Sequence, residues 1–319
     1  MGKSLITGGA GMVGRQLARL LLARGDEVVL LDIAPAAKLP ADIRDRVSLV
    51  RADLSDWAQV MDAVNSHSPE TIYHIGALMP PASEQNHTAA WGINVNGTMH
   101  IFEAARQFGV RTVVYSSTTA TFPIQLPEPV PNDHAQLPVT LYGVTKVCSE
   151  RLGEYYHRRY GLDFRGVRFL SILGPGRIPG FGWSAYTSLV VEECAKGNPY
   201  VIKVNELLQL RFIYVKDAAL SLMKLADADG SRLSARVYNL DGFSASTKEL
   251  VEAVTSNVPD ARISWEFDPE YQRVMDTQYG NIQHRMDDSL ARRDWDWTTS
   301  YTLPDAVRDF VEDVRRGRT

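Results

Sequence analysis

Short β-branched runs alternate with longer amphipathic stretches between residue 3 and about residue 169. The apolar runs predict strands at residues 4–7, 27–32, 47–51, 71–75, 112–116 and 164–169. The stretches with helical periodicity predict helices at residues 12–24, 56–65, 89–108 and 141–160. Because strands joined by helix-length connections pair in parallel, the pattern predicts an α/β fold with a doubly wound parallel sheet of the Rossmann type.

The first predicted strand runs directly into a glycine-rich turn, and the first predicted helix follows at once. The turn has the spacing GxxGxxG, with glycines at Gly8, Gly11 and Gly14. Gly8 allows a tight turn, Gly11 lets backbone amides approach a pyrophosphate, and Gly14 lets the helix pack closely on the strand. The free N–H groups at the start of the helix, at Met12 and Val13, add a positive dipole end. We therefore predict a dinucleotide-binding loop.

An aspartate at the end of the second predicted strand distinguishes between the two nicotinamide dinucleotides. Asp32 lies 18 residues beyond Gly14, where a carboxylate can accept hydrogen bonds from both hydroxyls of the adenosine ribose. The same charge would repel a 2′-phosphate, so we expect NAD rather than NADP. Asp53 and Leu54 follow the third strand and are placed to meet the adenine, but Asp53 could equally cap the helix that begins near Asp56.

A tyrosine and a lysine, Tyr142 and Lys146, lie four residues apart on one face of a predicted helix. A phenol is a weak base at neutral pH, and a nearby ammonium group favours its ionised form. The same lysine can hold the nicotinamide ribose. The hydroxyl residues from Ser116 to Thr119 end the fifth strand, at the edge of the sheet where α/β proteins bind ligands. This combination indicates general acid/base chemistry on a substrate oxygen.

These motifs together resemble the extended short-chain dehydrogenase/reductases, also called the NAD-dependent epimerase/dehydratase family. Within that family the later half of the chain is most similar to the short-chain type of L-threonine 3-dehydrogenase. The matching segments are residues 142–147, 153–157, 160–163, 238–240 and 287–295. The resemblance implies that Thr118 is the catalytic hydroxyl, Tyr142 the acid/base and Lys146 its partner. It also implies an NAD-dependent oxidoreductase that exchanges a hydride with a secondary alcohol or ketone of a small polar metabolite.

The resemblance assigns further residues around the cofactor and the substrate. Besides the glycine loop, Asp32, Asp53 and Leu54, the implied cofactor contacts are Ile33, Ile75, Gly76, Ala77, Ser116, Tyr142, Lys146, Phe169, Ser171 and Ile172. The implied substrate contacts are Met79, Thr118, Thr119, Tyr142, Gly182, Trp183, Ser184 and Arg211. A homodimer that forms through the predicted helices 89–108 and 141–160 is implied as well.

After Gly174 the regular alternation of strands and helices ends. Residues 174–182 are dense in glycine and proline, which cannot hold a regular helix or ladder, so this segment is free to shape a pocket. We expect residues 1–170 to form the NAD-binding domain. Residues 171–319 are expected to be mainly a smaller substrate-binding region that is interleaved with the sheet.

The pocket loop departs from the threonine dehydrogenases that the chain resembles. Those enzymes carry paired threonines after a glycine-rich loop, whereas this chain has Trp183, Ser184 and Ala185. A tryptophan fills or covers the pocket and removes a polar partner, and the charged ends of an amino acid need partners when they are desolvated. A larger or more apolar hydroxy or keto compound is therefore the expected substrate. The alternative is that Trp183 packs at a domain or subunit boundary.

Two other functions compete with the dehydrogenase. The first is a sugar-nucleotide epimerase with tightly bound NAD, in which Arg211 would grip a diphosphate. Arg211 could equally form a structural ion pair, and Ser171 stands where those epimerases carry an asparagine. The second is an NAD-sensing binding protein without chemistry, which the intact catalytic residues disfavour. Thr119 and Ala120 offer no extra carboxyl group for elimination or decarboxylation.

Composition narrows the range of partners. The net charge of −4 and the absence of a strong basic patch argue against nucleic acid or an anionic membrane as a partner. No segment reaches the run of apolar residues that a membrane span needs. Cys148 and Cys194 cannot form a disulfide framework, and no cysteine or histidine cluster has metal-site spacing. We expect a cytoplasmic protein with a small-molecule substrate and no metal.

Overall fold

A seven-stranded parallel sheet forms the centre of the computed structural model, which describes residues 2–177 and 182–318. The strands in these residues are β1 (Lys3–Thr7), β2 (Glu27–Asp32), β3 (Ser48–Arg51), β4 (Thr71–His74), β5 (Thr112–Thr118), β6 (Asp163–Phe169), β7 (Ser171–Leu173), β8 (Tyr200–Ile202), β9 (Gln209–Tyr214), β10 (Val237–Asn239), β11 (Phe243–Ser246) and β12 (Ile263–Trp265). The α-helices are α1 (Met12–Arg24), α2 (Ala41–Arg44), α3 (Trp57–His67), α4 (Ala82–Gln85), α5 (His87–Ala90), α6 (Gly97–Gln107), α7 (Leu141–Tyr160), α8 (Tyr186–Ala195), α9 (Val215–Asp227), α10 (Thr247–Asn257), α11 (Pro269–Gln278), α12 (Ser289–Trp295) and α13 (Leu303–Arg315).

The strand order of the main sheet is β10-β6-β5-β4-β1-β2-β3, and its neighbouring strands pair in parallel. The chain adds strands outward from β1 to β3 and then returns to place β4 on the other side of β1. Because the connections after β1 and β4 leave in opposite directions at this reversal, a crevice opens there for a ligand. The predicted α/β fold with a doubly wound parallel sheet is confirmed.

The central strands are buried on both faces because helices cover both sides of the sheet. Side chains such as Ile6 and Leu30 point into one core, which α1, α8 and α9 share. Their neighbours Leu5 and Leu31 point into a second core, which α3, α6 and α7 share. This double burial explains why the strands appear in the sequence as continuous apolar runs.

Strand β5 runs two residues further than its apolar pattern predicts. It extends to Thr118 because Ser117 pairs with Arg168 and Thr118 pairs with Phe169 on β6. Successive residues of a strand point to opposite faces of the sheet. The extension therefore sends the side chains of Ser117 and Thr118 in opposite directions.

The predicted helix 89–108 contains a wider turn in the structure. α5, a π-helical segment at Trp91–Asn96 and α6 follow one another without a break. Inside that segment, Asn94 accepts a 2.7 Å hydrogen bond from the Leu78 N–H and donates a 3.0 Å bond to the Leu78 carbonyl. Its amide nitrogen also donates to Thr145 Oγ1 on α7. The π turn thus connects the segment after β4 to α7.

The second half of the chain returns to the main sheet after leaving it. β10 pairs with β6 at the sheet edge, whereas β7, β9 and β11 form a separate mixed sheet and β8 and β12 form a parallel pair. The two halves of the chain are therefore interleaved in space. Among residues 2–177 and 182–318, none of the helices combines the length and the apolar character needed to cross a membrane.

Candidate active site

The glycine loop after β1 forms a close-packed cradle below the crevice. Gly8 has φ +65°, and a Cβ atom there would lie 2.7 Å from the Gly76 Cα atom. A Cβ atom on Gly14 would lie 2.5 Å from the Gly8 carbonyl oxygen. Helix α1 begins at Met12 after Gly11, which provides no side-chain cap, so the first N–H groups of the helix stay open. This cradle fits the pyrophosphate of NAD.

Asp32 is fixed beside this loop at the end of β2. Its two carboxylate oxygens accept hydrogen bonds from the Ala10 N–H at 2.9 Å and the Ala34 N–H at 3.0 Å. The neighbouring Ile33 side chain is exposed. A carboxylate held here by the backbone is in position to accept the hydroxyl groups of a ribose, which fits NAD.

Asp53 shapes the turn after β3. Its Oδ1 atom accepts hydrogen bonds from both the N–H and the hydroxyl of Ser55, each at 2.8 Å. The cap of α3 is instead Asp56, whose carboxylate accepts from the Gln59 N–H. Leu54 is buried below the turn. The helix-cap alternative for Asp53 is therefore wrong, because Asp56 performs that role.

A hydrogen-bond chain fixes the backbone of the segment after β4. Thr7 Oγ1 accepts from the N–H groups of Ile75 and Gly76, both at 3.0 Å. The Thr7 hydroxyl must then donate to His74 Nδ1, 2.7 Å away, and His74 Nε2 donates to Thr98 Oγ1 at 2.9 Å. Burial lowers the pKa of His74 to about 3, so the ring is neutral near pH 7. The chain holds residues 75–77 against the glycine loop.

Replacing His74 with asparagine should reduce the slope of the free energy of unfolding against pH below pH 6.5. Between pH 6.5 and about pH 3, His74 binds a proton in the unfolded chain but stays neutral in the folded protein. The free energy of unfolding therefore falls as the pH falls. One such proton changes the free energy of unfolding by about 1.4 kcal/mol per pH unit. Urea unfolding at several pH values measures this slope, and the exposed His87→Asn is the control. Equal slopes in the wild type and His74→Asn would contradict the prediction.

Helix α7 is held at its start by a carboxylate from a distant segment. The Glu84 oxygens accept from the Leu141 N–H at 2.9 Å and the Tyr142 N–H at 3.0 Å. A Cβ atom on Gly143 would lie 2.2 Å from the Ala120 carbonyl oxygen, so the helix passes very close to the end of β5. These contacts bring Tyr142 to the edge of the sheet that carries Thr118.

The side chain of Lys146 is buried between β5 and Tyr142. Its Nζ atom donates to the Ser116 carbonyl at 2.8 Å and lies 5.7 Å from the centre of the Tyr142 ring. Burial lowers the pKa of Lys146 to about 7, with Glu150 acting in the opposite direction. Burial also raises the pKa of Tyr142, and the guanidinium of Arg177 opposes that rise. The sequence indicated Lys146 as the cation that favours the phenolate of Tyr142. In the structure, Arg177 is a second cation that acts on the phenol in this direction.

The two hydroxyl residues at the end of β5 have different partners. The Ser117 hydroxyl donates to the buried carboxylate of Glu150 on α7. Thr118 Oγ1 accepts from the Ala120 N–H at 3.1 Å, which leaves its hydroxyl hydrogen available. The next residue, Thr119, has a buried Oγ1 atom with no partner among the described residues. Thr118 is therefore the hydroxyl of this pair that can serve a ligand.

The loop around Trp183 packs against the C-terminal region. The carbonyl of Trp183 accepts from the Tyr271 hydroxyl, and the two rings meet edge to face with centres 5.0 Å apart. Ser171 Oγ donates to Ser184 Oγ at 3.1 Å, which joins this loop to β7. A cavity of about 400 Å³ lies here, lined mainly by Pro81, Gly182, Trp183, Ala185, Tyr186, Tyr200 and Tyr271. Residues 178–181 of the predicted pocket loop lie outside the described residues.

Three segments converge where this loop reaches the crevice. The Gly182 N–H donates to the Pro80 carbonyl at 2.6 Å, next to Met79. Arg177 reaches the same place, since its Nη2 atom lies 2.9 Å from the position of a Cβ atom on Gly182. Phe169 ends β6 and Ile172 lies in β7, and both pack in the core that α1, α8 and α9 share.

Arg211 is engaged in an ion pair within the second sheet region. Its Nε and Nη2 atoms donate to the two oxygens of Asp241 at 2.9 and 2.6 Å. Both side chains are largely buried. The structure thus favours the ion-pair interpretation of Arg211 over a free diphosphate ligand.

Four residues near the crevice were not singled out from the sequence: Arg15, Glu84, Arg177 and Tyr279. Arg15 donates to the Gly176 carbonyl at 3.2 Å and so links the glycine loop to the segment after β7. Its position directly after Gly14 was an available signal. Arg177 also had a signal in the sequence, because it is a charged residue inside a glycine- and proline-rich loop. Glu84 and Tyr279 had no such signal.

Comparison with known proteins identifies the family. The profile of the NAD dependent epimerase/dehydratase family matches residues 4–241, which include the glycine loop, β5 and α7. This chain belongs to the NAD-dependent epimerase/dehydratase family. Mitochondrial L-threonine 3-dehydrogenase of Sus scrofa is 32% identical to this family member over 309 residues, covering 96% of this chain and 81% of that enzyme.

Solved structures agree with this assignment. The GalE-like L-threonine dehydrogenase from Cupriavidus necator, in its holo form, superposes with a TM-score of 0.86 at 27% identity, covering 98% of this chain and 99% of that chain. UDP-glucose 4-epimerase of Thermotoga maritima reaches a TM-score of 0.84 at 19% identity, covering 98% and 99%, and shows the shared fold alone. This epimerase/dehydratase family member is an NAD-dependent enzyme, so the predicted resemblance and cofactor are confirmed.

Proposed function

We propose that this enzyme exchanges a hydride between NAD and a secondary alcohol or ketone of a small polar metabolite. The main support for this proposal is that Tyr142 and Lys146 on α7 lie beside the end of β5, where Thr118 has a hydroxyl hydrogen available for a ligand. The relatives that are named L-threonine dehydrogenases support this reaction type. In this proposal residues 1–170 hold most cofactor contacts, and residues 171–319 mainly shape the substrate pocket.

The residues of the chain divide the chemistry as follows. Bound NAD supplies the nicotinamide ring that accepts or returns the hydride. The Thr118 hydroxyl donates a hydrogen bond to the substrate oxygen and holds it beside Tyr142. Tyr142 takes the hydroxyl proton when the alcohol is oxidised and returns it when the ketone is reduced. Lys146, anchored on the Ser116 carbonyl, keeps a positive charge or a proton donor beside the phenol and the cofactor.

The sugar-nucleotide epimerase remains the second candidate function. The family of this chain is described as an NAD dependent epimerase/dehydratase family, which supports it. The pairing of Arg211 with Asp241 weakens it, because the side chain that would grip a diphosphate already has two charge-assisted hydrogen bonds. A changed pocket relative to the threonine dehydrogenases is part of the main proposal, since Trp183 lines the cavity together with Tyr271.

One assay separates the two functions. The purified protein is supplied with NAD and a panel of amino acids and hydroxy acids, and NADH formation is followed. In parallel, UDP-glucose is supplied and the formation of its 4-epimer is measured. We expect NADH release with a member of the first panel. Epimer formation with retained NAD and no released NADH would refute the dehydrogenase.

We also propose a homodimer that forms through α6, α7 and the π-helical segment. Large side chains on these helices remain exposed in a single chain, namely Trp91, Met99, Val144, Tyr155 and Tyr160. Exposed apolar patches of this kind mark interaction surfaces. Light scattering should give twice the 35.5 kDa mass of one chain. A single-chain mass at every concentration would contradict the dimer.

The proposed compartment is the cytoplasm. Neither Cys148 nor Cys194 is in a disulfide, and Cys194 is buried. A reducing compartment is the simplest setting for a protein with two free thiols. Fractionation of cells that produce the protein would locate it.

A further inference from the structure

Arg177 carries a charge into the catalytic crevice without a partner among the described residues. Its Nε atom is enclosed by the protein and has no hydrogen-bond acceptor there, and no Asp or Glu in residues 2–177 and 182–318 forms a salt bridge with it. A guanidinium stays protonated in proteins, so this is a cation in a desolvated place. Burial lowers the pKa of Arg177, and Tyr142 is the group that opposes this effect.

The neighbouring glycine makes room for this cation. Gly182 has φ +83°, a backbone conformation that strains any side chain, and the Nη2 atom of Arg177 lies 2.9 Å from the position of a Cβ atom there. Gly182 also donates to the Pro80 carbonyl, in the segment that leads to Glu84, whose carboxylate accepts from the Tyr142 N–H. These contacts place the Arg177 guanidinium on the side of the crevice where α7 begins. A site of this form is built for a planar anion, because the guanidinium fork donates two parallel hydrogen bonds to a carboxylate.

A second unpaired donor lies near the same phenol. The hydroxyl of Tyr279 is buried and has no partner among the described residues. Burial raises the pKa of Tyr279, and the Glu84 carboxylate and the Tyr142 phenol act in the same direction. The segment of Tyr279 is held at the end of β5, because the Asn281 amide donates to the Thr119 carbonyl at 3.2 Å. Buried polar groups are nearly always paired in folded proteins. Two orphan donors next to the catalytic phenol are groups that a ligand would satisfy.

The charge balance of the crevice decides which ligand fits. Glu84 is the carboxylate beside these groups, and its two oxygens already accept the N–H groups of Leu141 and Tyr142. Arg177 therefore offers a positive charge to a ligand, whereas an ammonium group would be repelled by that cation and would find both Glu84 oxygens already engaged by the start of α7. An amino acid is disfavoured relative to the same compound without its amino group.

Resting on the proposed dehydrogenase function, we propose that Arg177 binds the carboxylate of a small hydroxy acid and that Tyr279 donates a further hydrogen bond to it. The substrate then lies with its carboxylate at Arg177 and its secondary alcohol at Thr118 and Tyr142. Arg177 and Tyr279 are the specificity-determining residues of this arrangement, and the preferred substrate carries no amino group.

A binding experiment tests the anion site without relying on turnover. Calorimetry measures butyrate and butyramide binding to the NAD-saturated protein, in the wild type, Arg177→Gln, Tyr279→Phe and the exposed control Arg111→Gln. Butyrate should bind the wild type and the control, with affinity lower by roughly 10- to 100-fold in Arg177→Gln and by a smaller factor in Tyr279→Phe. Equal butyrate affinity in the wild type and Arg177→Gln, or no preference for butyrate over butyramide, would overturn the proposal.

A kinetic experiment tests the substrate class. NADH formation is compared for 3-hydroxybutyrate, its methyl ester and L-threonine, which differ in charge around one secondary alcohol. We expect the acid to be oxidised faster than both other compounds, and we expect Arg177→Gln to raise the KM for the acid by a larger factor than the KM for the ester. Faster oxidation of L-threonine than of the acid would refute the hydroxy-acid preference, but it would still agree with the proposed dehydrogenase function. Epimerase activity without NADH release would refute the dehydrogenase, and the calorimetry would still report on the anion site.

Discussion

Replacing Tyr142 with phenylalanine should lower turnover by roughly 100- to 10,000-fold, the range that a positioned acid or base contributes. The phenol hydroxyl is the group that carries the substrate proton in the proposed reaction, and phenylalanine removes only that oxygen. The ring stays buried against Lys146, so the helix and the cofactor cradle should be unchanged. NAD affinity and the unfolding temperature should therefore stay near the wild-type values.

The measurement for Tyr142 combines steady-state NADH formation with a titration of NAD binding. Tyr155→Phe is the matched control, because Tyr155 lies on the same helix with an exposed side chain. It should keep full turnover. Unchanged turnover in Tyr142→Phe would remove this residue from the catalytic assignment, and a matching loss of NAD binding would mean that the residue acts through the cofactor site.

Removing one partner of the buried ion pair between Glu150 and Arg168 should cost about 3–5 kcal/mol of stability. Both side chains are enclosed, with exposed fractions of 0% and 5%, and their closest contact is 2.8 Å. Arg168 also donates to the Asn132 carbonyl and to Asn239 Oδ1. Glu150 accepts from the Ser117 hydroxyl as well. A single substitution would leave a buried charge and several buried polar groups without partners.

Urea unfolding of Arg168→Met and Glu150→Gln measures this cost. The exposed pair of Glu270 and Arg273, also an arginine with a carboxylate, is the control, and Arg273→Met should change stability by about 0–1 kcal/mol. The double variant of Glu150 and Arg168 should be less destabilised than the sum of the single variants, because neither charge is then left alone. A loss in Arg168→Met as small as in the control would contradict the prediction.

This ion pair also connects stability to the site. Glu150 lies one turn after Lys146 on α7, and Arg168 lies on β6 next to β5. The pair therefore fixes the catalytic helix on the sheet one turn beyond Lys146. A destabilised Arg168→Met should lose turnover along with helix position, even though neither residue contacts the substrate.

Most of the fold could be predicted from short-range patterns. The six strands and four helices expected between residues 3 and 169 are present, with ends shifted by at most two residues. Local sterics and the burial of one face set these periodicities, and both are visible in a short window of sequence. The π turn at Asn94 was not visible, because it depends on Leu78 and Thr145 from other segments. The extension of β5 likewise depends on pairing with β6.

The sequence by itself determined the parts of the site that lie within one local element. The spacing of Gly8, Gly11 and Gly14 implies a loop that can approach a pyrophosphate, because backbone conformation depends on the residues beside it. Tyr142 and Lys146 share a helix face for the same reason. These local features were sufficient to indicate a dinucleotide and acid/base chemistry.

Only the tertiary structure decided which polar groups are free to meet a ligand. It turned Ser117 toward Glu150 and left Thr118 available, and it paired Arg211 with Asp241. It also enclosed the Nε atom of Arg177, beside Gly182, without a hydrogen-bond partner among the described residues. Hydrogen bonds and ion pairs act over a few ångströms, so a side chain's partner depends on how segments distant in the chain pack together. The periodic pattern of apolar and polar residues along the chain contains no information about that packing.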